Sequence, residues 1–557
     1  MVLPGWHDPA LDFYKILVDS DGRLTRREAA TPRWISAKGG YGSNVGLWRS
    51  PARETFDTPA DGRIAPLAAP AVPLIAVDPF FQIFSPRGKL NERTTVAGSD
   101  GKEQQISAIA FIGGRACQLV GPPVRGVSAA EQLSAVVYPT RTIYKMLCDS
   151  TTAVTLTFMT PLLPSNLTIM ARPASYLTFR ATGTANVRVY VDISYQAAVA
   201  PKPNVTKHVA CGANVTASGL GFGWLGNAAT QKTPIPCRDP SAKTCWEPGN
   251  IDWGRLYLGS GGGRGVAVGA AWKLRAHFVS SGQLADPDPC TSPLAGSELP
   301  VLATVLDVTH QSDAGAPASV VFAYDDEIAI RWWGTNFPGL WTRESETAVG
   351  MLAVAVADEG RVTALCKAFD DAEVDAYHRV GGPRYAAILS LAYRQAYAST
   401  KLAWNAAKQT HWHFIDEIST AGNLNTMDVI YPASPLFIHQ SPDLAYNLLI
   451  PTLEYANNAT NVSYNVPWAP HHLGKCESGN GLPPCTTLTQ TVAATRPDRL
   501  YLAPAPRADA GRGDRQRAPD AQRDRPAEGQ QHRLHRAAVL AAAADVGGLP
   551  RLYYTGP

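Results

Sequence analysis

Between Leu74 and about Phe322 the chain alternates, and that alternation narrows its fold more than any other feature. In Val154-Thr-Leu156-Thr-Phe158 apolar residues and threonines take turns, and Val187, Val189, Val191 and Ile193 are separated by Arg188, Tyr190 and Asp192. A period of two sends successive side chains to opposite faces of a strand, so each run predicts one buried face and one wet face. Shorter runs follow at Tyr176 to Phe179, Leu256 to Leu258, Val266 to Val268 and Val320 to Ala323, divided by turn clusters such as Gly259-Ser-Gly-Gly-Gly-Arg. Many short strands with Gly/Pro punctuation predict a β-sandwich rather than a parallel α/β sheet. The run Gly261-Gly-Gly-Arg-Gly lacks the Lys-Ser/Thr of a phosphate loop and reads as hairpin turn.

Near Asp325 the period changes. Thr347 to Ala357 and Glu359 to Asp371 read as helical, and Tyr385 to Ala407 is the clearest helix, with Ile388, Leu391, Ala392, Gln395, Ala396 and Leu402 on one stripe. Gln395 on that stripe, with Arg394 beside it, is either a satisfied core amide or a polar group facing a site. Ser441 is placed to cap a further helix with Pro442 in its first position, and Pro451 is expected to end it at about Ile450. Residues 1–68 read as an irregular lead-in. From 491 to 557 the chain is dominated by Ala, Arg, Pro, Asp, Gly and Gln, with no core-forming period, so a disordered tail is expected.

A chain of 557 residues accommodates two or three domains. Its net charge of +3 argues against a nucleic-acid or anionic-membrane partner, and no apolar run is long enough to span a bilayer. Cys237 and Cys245, and Cys476 and Cys485, bracket short polar loops of the kind a disulfide closes, although unrelated reduced thiols fit the spacing as well. Sequons at Asn166, Asn204, Asn214, Asn458 and Asn461 lean towards secretion. Met1 to Ser20, however, contains no signal peptide: Asp8, Asp12, Lys15 and Asp19 interrupt it.

The stretch from His411 to Gly474 holds most of the groups able to do chemistry. Asp416-Glu417 and Asp428 are its carboxylates, and two acids in different environments can divide the donor and base roles of an amide or acetal hydrolysis. Trp412, Phe414 and Tyr431 are near enough in sequence to shield one of them; equally, Asp428 can simply cap a turn. His411 and His413, spaced to share one face of a strand, and His471 and His472 match none of the common zinc spacings, so neither metal nor cofactor is expected. No Gly-x-Ser-x-Gly elbow is present.

Several stretches, in order, resemble the fungal-type glutaminase A family over residues 72 to about 480. They are Pro73-Leu-Ile-Ala-Val-Asp-Pro-Phe-Phe-Gln-Ile-Phe-Ser-Pro, Arg172-Pro-Ala-Ser-Tyr-Leu-Thr-Phe, Ile251-Asp-Trp-Gly-Arg-Leu-Tyr-Leu, Ala392-Tyr-Arg-Gln-Ala, Asn425-Thr-Met-Asp-Val-Ile-Tyr-Pro-Ala-Ser-Pro-Leu-Phe and Trp468-Ala-Pro-His-His-Leu-Gly. The resemblance implies a multidomain β + α chain: an N-terminal β-sandwich at 69–330, then an incomplete six-hairpin (α/α)6 toroid at 331–490. It implies hydrolysis of L-glutamine to L-glutamate and ammonia, a small-molecule amide substrate and an extracellular setting. Glu417 and Asp428 match the family's acidic positions and become the catalytic candidates; Arg394, Gln395, His471 and His472 become the substrate-binding ones. The chain departs from the family pattern at Asp416, where a Lys is usual, and at His472, where an Asp is usual. A Met-Pro-Val-Glu-Glu segment and further helices are replaced by the Arg/Ala/Pro tail, so a C-terminally truncated or frame-shifted member is expected. Two other readings stay open. Six-hairpin toroids also serve glycoside hydrolases, and the β part can be a non-catalytic binding remnant.

Overall fold

The computed structural model describes residues 62–66, 69–86, 88–98, 101–183, 186–198, 208–227, 254–262, 264–308, 318–332, 335–416, 424–457 and 471–473. The expected lead-in up to residue 61 and the Arg/Ala/Pro tail lie outside them, as do Cys237, Cys245, Cys476, Cys485, Asn204, Asn458 and Asn461.

A β-rich part is followed by a helical one. Two sheets carry the first. One is nine-stranded and antiparallel, in the order Leu294–Ala295, His208–Val215, Gly221–Asn227, Arg255–Ser260, Ala318–Asp325, Ala174–Thr182, Ala153–Met159, Arg141–Leu147 and Glu131–Val137. The other has six strands, in the order Ala267–Ala270, Pro300–Val308, Val187–Ser194, Ile106–Ile112, Arg115–Val120 and Ser128–Ala129. Their inner faces share one core. Val154, Leu156 and Phe158, with Leu177, Phe179, Val320 and Phe322, meet Val189, Val191, Ile193, Leu302 and Leu306. The alternation read from the sequence is therefore what builds the interior.

The outer faces are less wet than alternation implies. Thr155 and Thr157 are half-buried as expected, but Tyr190, Asp192 and Ser194 are buried along with the valines between them. The helix Ala271–Ser281 lies over that face and packs Leu274 and Phe278 against Tyr190. Asp192 survives burial because Arg275 grips both its oxygens, at 2.7 and 2.9 Å, and the Tyr190 hydroxyl donates to it at 2.8 Å. Two disulfides, Cys117–Cys148 and Cys211–Cys290, tie residues far apart in sequence. Neither involves the cysteines that loop spacing proposed, which lie outside the described residues. Cys366 is buried as a free thiol.

The helical part covers the outer face of the nine-stranded sheet. Thr347 caps the helix Ala348–Ala357 by accepting from the Gly350 amide at 3.0 Å, and Met351, Leu352 and Ala355 pack on Tyr176, Tyr257 and Val321. The next helix, Glu359–Ala398, breaks at Gly382, whose φ of 76° only glycine takes cheaply, just before Pro383. Its last stretch ends at Ala398, nine residues short of the expected Ala407. The chain instead pairs Thr400–Asn405 with Thr410–Ile415 as a hairpin. The alternation of Trp412 and Phe414, which with Ala403 pack on Trp332 and Phe337 while Leu402 faces the opposite side, outweighs helix propensity there.

The helix's buried stripe also differs from the expected one. It consists of Ala386, Ala387, Ser390, Tyr393, Arg394, Tyr397 and Ala398, while Gln395 and Ala392 are exposed and Ile388 is 54% exposed. Counting Arg and Tyr as polar selects the wrong side. Here polar tips find partners inside: the Tyr393 hydroxyl donates to the Leu162 carbonyl at 2.9 Å, and two guanidinium nitrogens of Arg394 donate to Thr142 Oγ1 at 2.8 Å and the Leu74 carbonyl at 3.3 Å. Gln395 is thus neither a core amide nor on the apolar stripe. Helices Met427–Gln440 and Pro442–Asn457 complete the part, the first of them unforeseen because of its Pro432 and Pro435. Ser441 and Pro442 start the second as expected. It nevertheless runs through Pro451 to Asn457, since Pro451, Thr452 and Tyr455 bury side chains and outweigh one missing backbone bond. Among the described residues no helix is long and apolar enough to cross a membrane.

Charged residues stitch sheet to helices. Arg172, 3% exposed, holds Glu344 through both oxygens at 2.6 and 2.7 Å and Asp358 at 3.1 Å. Arg141 Nε donates to Asp370 Oδ2 at 2.7 Å, and the Thr140 amide and hydroxyl occupy Oδ1. Even so, burial lifts the Asp370 carboxyl to about 6. Removing one partner of such a buried group leaves the others uncompensated, so Arg172→Ala is expected to cost about 3 kcal/mol in denaturant unfolding. A loss within about 0.5 kcal/mol of zero would show the contact to be dispensable.

His413 supplies a second test. It is fully buried, its Nδ1 lies 3.1 Å from the Leu444 carbonyl, and its ring stands edge-on to Phe437. Burial, reinforced by nearby His411, pushes it down to about 4. Between that value and about 6.5 the unfolded chain binds a proton that the folded chain does not, so stability falls as pH falls through this window, by roughly 3 kcal/mol in all. Because Asp370 responds in the opposite sense, the readout is the difference between wild type and His413→Leu: the slope attributable to His413 disappears in the variant. Identical slopes between pH 4 and 6.5 would refute the assignment.

Candidate functional site

The strand Thr410–Ile415 is the floor of the stretch richest in chemistry. Asp416 follows it, buried, with its amide donating to the Ser399 carbonyl at 2.8 Å. Glu417 lies outside the described residues. When the chain is described again, Leu424 bridges back to Asp416 and Asn425 turns it. Asn425 has φ of 49°, in the left-handed region that Asn tolerates better than other non-glycine residues. Its amide donates to the Ile415 carbonyl at 2.7 Å, its Oδ1 accepts from the Ile415 amide at 3.0 Å, and its Nδ2 donates to the Leu448 carbonyl at 3.0 Å. One buried side chain thereby clamps the strand, the turn and the helix Pro442–Asn457.

That clamp sets the start of the helix Met427–Gln440. Asp428 lies in its first turn, where the aligned peptide dipoles favour a carboxylate. The returning segment 471–473 is pinned alongside: the Met427 amide donates to the His471 carbonyl at 2.7 Å and the Leu473 amide to the Leu424 carbonyl at 2.8 Å. As a result His471 Nε2 lies 3.2 Å from Asp428 Oδ1, with the two side chains 65% and 73% exposed. The His472 ring packs on His471 at 5.2 Å between centroids, and Tyr431, 82% exposed, lies one turn beyond Asp428. The result is an open surface with a carboxylate, two imidazoles and a phenol on a rigid base.

The structure thus joins Asp428 with His471 and His472, residues distant in sequence. It keeps Arg394 away from any ligand: that side chain has no exposed surface, and burial holds it down at about 10, still protonated at neutral pH. A guanidinium committed to Thr142 and the Leu74 carbonyl braces the interior and offers nothing to a substrate. Gln395 is exposed on the same helix. His411 and His413 share a strand, but His413 is a core residue held by Leu444. The Asn425 clamp escaped the sequence reading, and Tyr431, read there as near enough to shield an acid, is 82% exposed. The only signal for the clamp was an Asn directly before Thr-Met-Asp. Among the described residues the metal-ligating side chains that cluster are Cys211, Asp288 and Cys290, and those cysteines are joined to each other. Of the sequons, Asn166 caps a short helix by accepting from the Ile169 amide, and Asn214 is exposed at the end of a strand.

Residues 140–375 match a domain of unknown function (DUF5127), and residues 382–480, which contain Asp428 and His471, match the glutaminase A six helical-hairpin domain. The chain is similar to glutaminase A of Aspergillus oryzae, 26% identical over 347 residues that cover 60% of this chain and 47% of the relative. It is also similar to a probable glutaminase of Arthroderma benhamiae, 22% identical over 330 residues that cover 56% and 36%. The chain therefore spans less than half the length of these curated relatives. With both family models matched in order on a β-rich part followed by helices, the chain belongs to the fungal glutaminase A-type family.

Proposed function

We propose that the chain is a glutaminase-like amidohydrolase, converting L-glutamine to L-glutamate and ammonia, with Asp428 as the base that activates water. The observation that carries this reading is the exposed Asp428–His471 pair at 3.2 Å, lying within the stretch that matches the glutaminase A hairpin domain. Hydrolysis of a carboxamide needs a water deprotonated as it attacks the carbonyl carbon and a proton delivered to the departing nitrogen. An Nε2–H on His471 donates to Asp428 Oδ1 and fixes the carboxylate's orientation, leaving Oδ2 to take the water's proton. The carboxylate sits in the first turn of a helix, where the aligned peptide dipoles attract negative charge. Glu417, the neighbouring family-matched acid, is assigned the second proton transfer. Tyr431 offers an apolar wall to the methylenes of a glutamine side chain. His472 extends the polar rim that would meet the substrate's carboxylate and amine. Neither a metal nor a cofactor enters the scheme. An extracellular setting is part of the proposal and accords with the two disulfides.

Ammonia release from L-glutamine by the purified chain is the test. Asp428→Asn is expected to lower kcat by about 10²–10⁴-fold with little change in thermal stability, since the side chain is largely exposed. His471→Gln retains a donor to Asp428 and should lose less than Asp428→Asn. Full activity in Asp428→Asn, or no glutamine turnover by the wild-type chain, would overturn the assignment.

A further inference from the structure

Away from this surface, three charged side chains meet where the strand Ala71–Asp78, the end of the central sheet strand Ala318–Asp325 and the hairpin strand Thr400–Asn405 come together. Lys401 Nζ lies 2.5 Å from Asp78 Oδ2 and 2.5 Å from Asp326 Oδ2. The lysine side chain is 11% exposed and both aspartates 5%. Tyr324 is buried beside both carboxylates, and Phe81 packs on it at 5.9 Å. The two contacts are unlike. Asp78 Oδ2 accepts a true hydrogen bond from Lys401, while Asp78 Oδ1 accepts from the Phe80 and Phe81 amides at 2.9 Å each. The same nitrogen reaches Asp326 Oδ2, which has no donor besides Lys401.

We propose that these residues form a self-processing isopeptide site, in which the Lys401 amine condenses with the Asp326 carboxyl while Asp78 carries the protons. One ammonium against two carboxylates would leave an excess negative charge almost sealed from water, and a buried site relieves that by binding a proton. Asp326 is the group that takes it. Asp78 Oδ1 already accepts from two backbone amides, whereas burial pushes the Asp326 carboxyl above its usual range against the pull of Lys401. A protonated carboxyl beside an amine whose proton has an acceptor is the arrangement that condensation requires. Asp78 takes one proton from the Lys401 ammonium. The amine lone pair then attacks the Asp326 carboxyl carbon and the C–N bond forms. Asp78 returns a proton to the departing hydroxyl as the C–O bond breaks, and receives one from the new nitrogen. The products are a neutral amide, one water and a protonated Asp78, so atoms and charge balance without oxidant, metal or nucleotide. The bond would replace a buried ion pair with a covalent tie between the β-rich part and the hairpin that leads to Asp416. It is independent of the amidohydrolase reading.

The test is mass spectrometry of the purified full chain after reduction and alkylation. The expected result is an intact mass one water below that of the sequence, together with a branched tryptic peptide joining the segment containing Lys401 to that containing Asp326, and no cleavage after Lys401. Lys401→Arg, Asp326→Ala and Asp78→Ala should each restore the full mass. Wild-type protein of full mass that trypsin cuts after Lys401 would overturn the proposal, whether or not the variants fold. A branch to Asp78 in place of Asp326 would overturn the assigned roles.

Discussion

Charge buried at the join between sheet and helices is what the rest of this structure depends on. Arg172 reaches from the nine-stranded sheet to Glu344 and Asp358, Arg141 to Asp370, and Lys401 from the hairpin to Asp78 and Asp326. Hydrophobic burial alone does not select one register for a helix lying across a sheet, because neighbouring placements cover similar apolar area. An arginine or lysine removed from water tolerates only the placement that returns its partners. These contacts therefore hold the helices Ala348–Ala357 and Glu359–Ala398 to one position on the sheet, and Tyr176, Tyr257 and Leu352 fill the space between them.

The candidate site inherits that placement. The end of Glu359–Ala398 leads directly into the hairpin Thr400–Ile415, whose aromatic face packs on Trp332 and Phe337. Its other face meets the helix Pro442–Asn457 through His413 and the Leu444 carbonyl. Asn425 then locks the turn to both. Asp428 and His471 are exposed, but the backbone that presents them is bonded on every side. A site that must hold two groups at hydrogen-bond distance benefits from that rigidity, since small displacements of reacting groups are costly.

Much of the fold could be read from the chain. The alternation through Val154–Phe158 and Val187–Ile193 marked strands that the structure keeps, and Thr347 and Ser441 marked helix starts. Other expectations failed for identifiable reasons. Arg394 was set aside as polar although it is buried, with two guanidinium nitrogens donating to Thr142 and the Leu74 carbonyl, so the buried stripe was placed on the wrong side of its helix. The run after Ala398 was taken for more helix because aromatic alternation over six residues is a weak signal beside a long helical period. The disulfides expected from sequence, Cys237 with Cys245 and Cys476 with Cys485, lie outside the described residues, and the two that are described, Cys117–Cys148 and Cys211–Cys290, join cysteines 31 and 79 residues apart. In the candidate site, Asp428, Tyr431, His471 and His472 were visible as residue types; the clamp made by Asn425 was not.

What the sequence by itself determined is the order of architecture, strands and then helices, and the stretch in which chemistry is concentrated. Both are local properties, carried by side-chain period and residue type along the chain. Only the tertiary structure decided which of those groups meet. That Asp428 faces His471, that Arg394 is sealed inside, and that Lys401 lies between Asp78 and Asp326 depend on segments hundreds of residues apart in places. Their approach is governed by packing and by the cost of burying charge without a partner, and neither leaves a mark in local sequence.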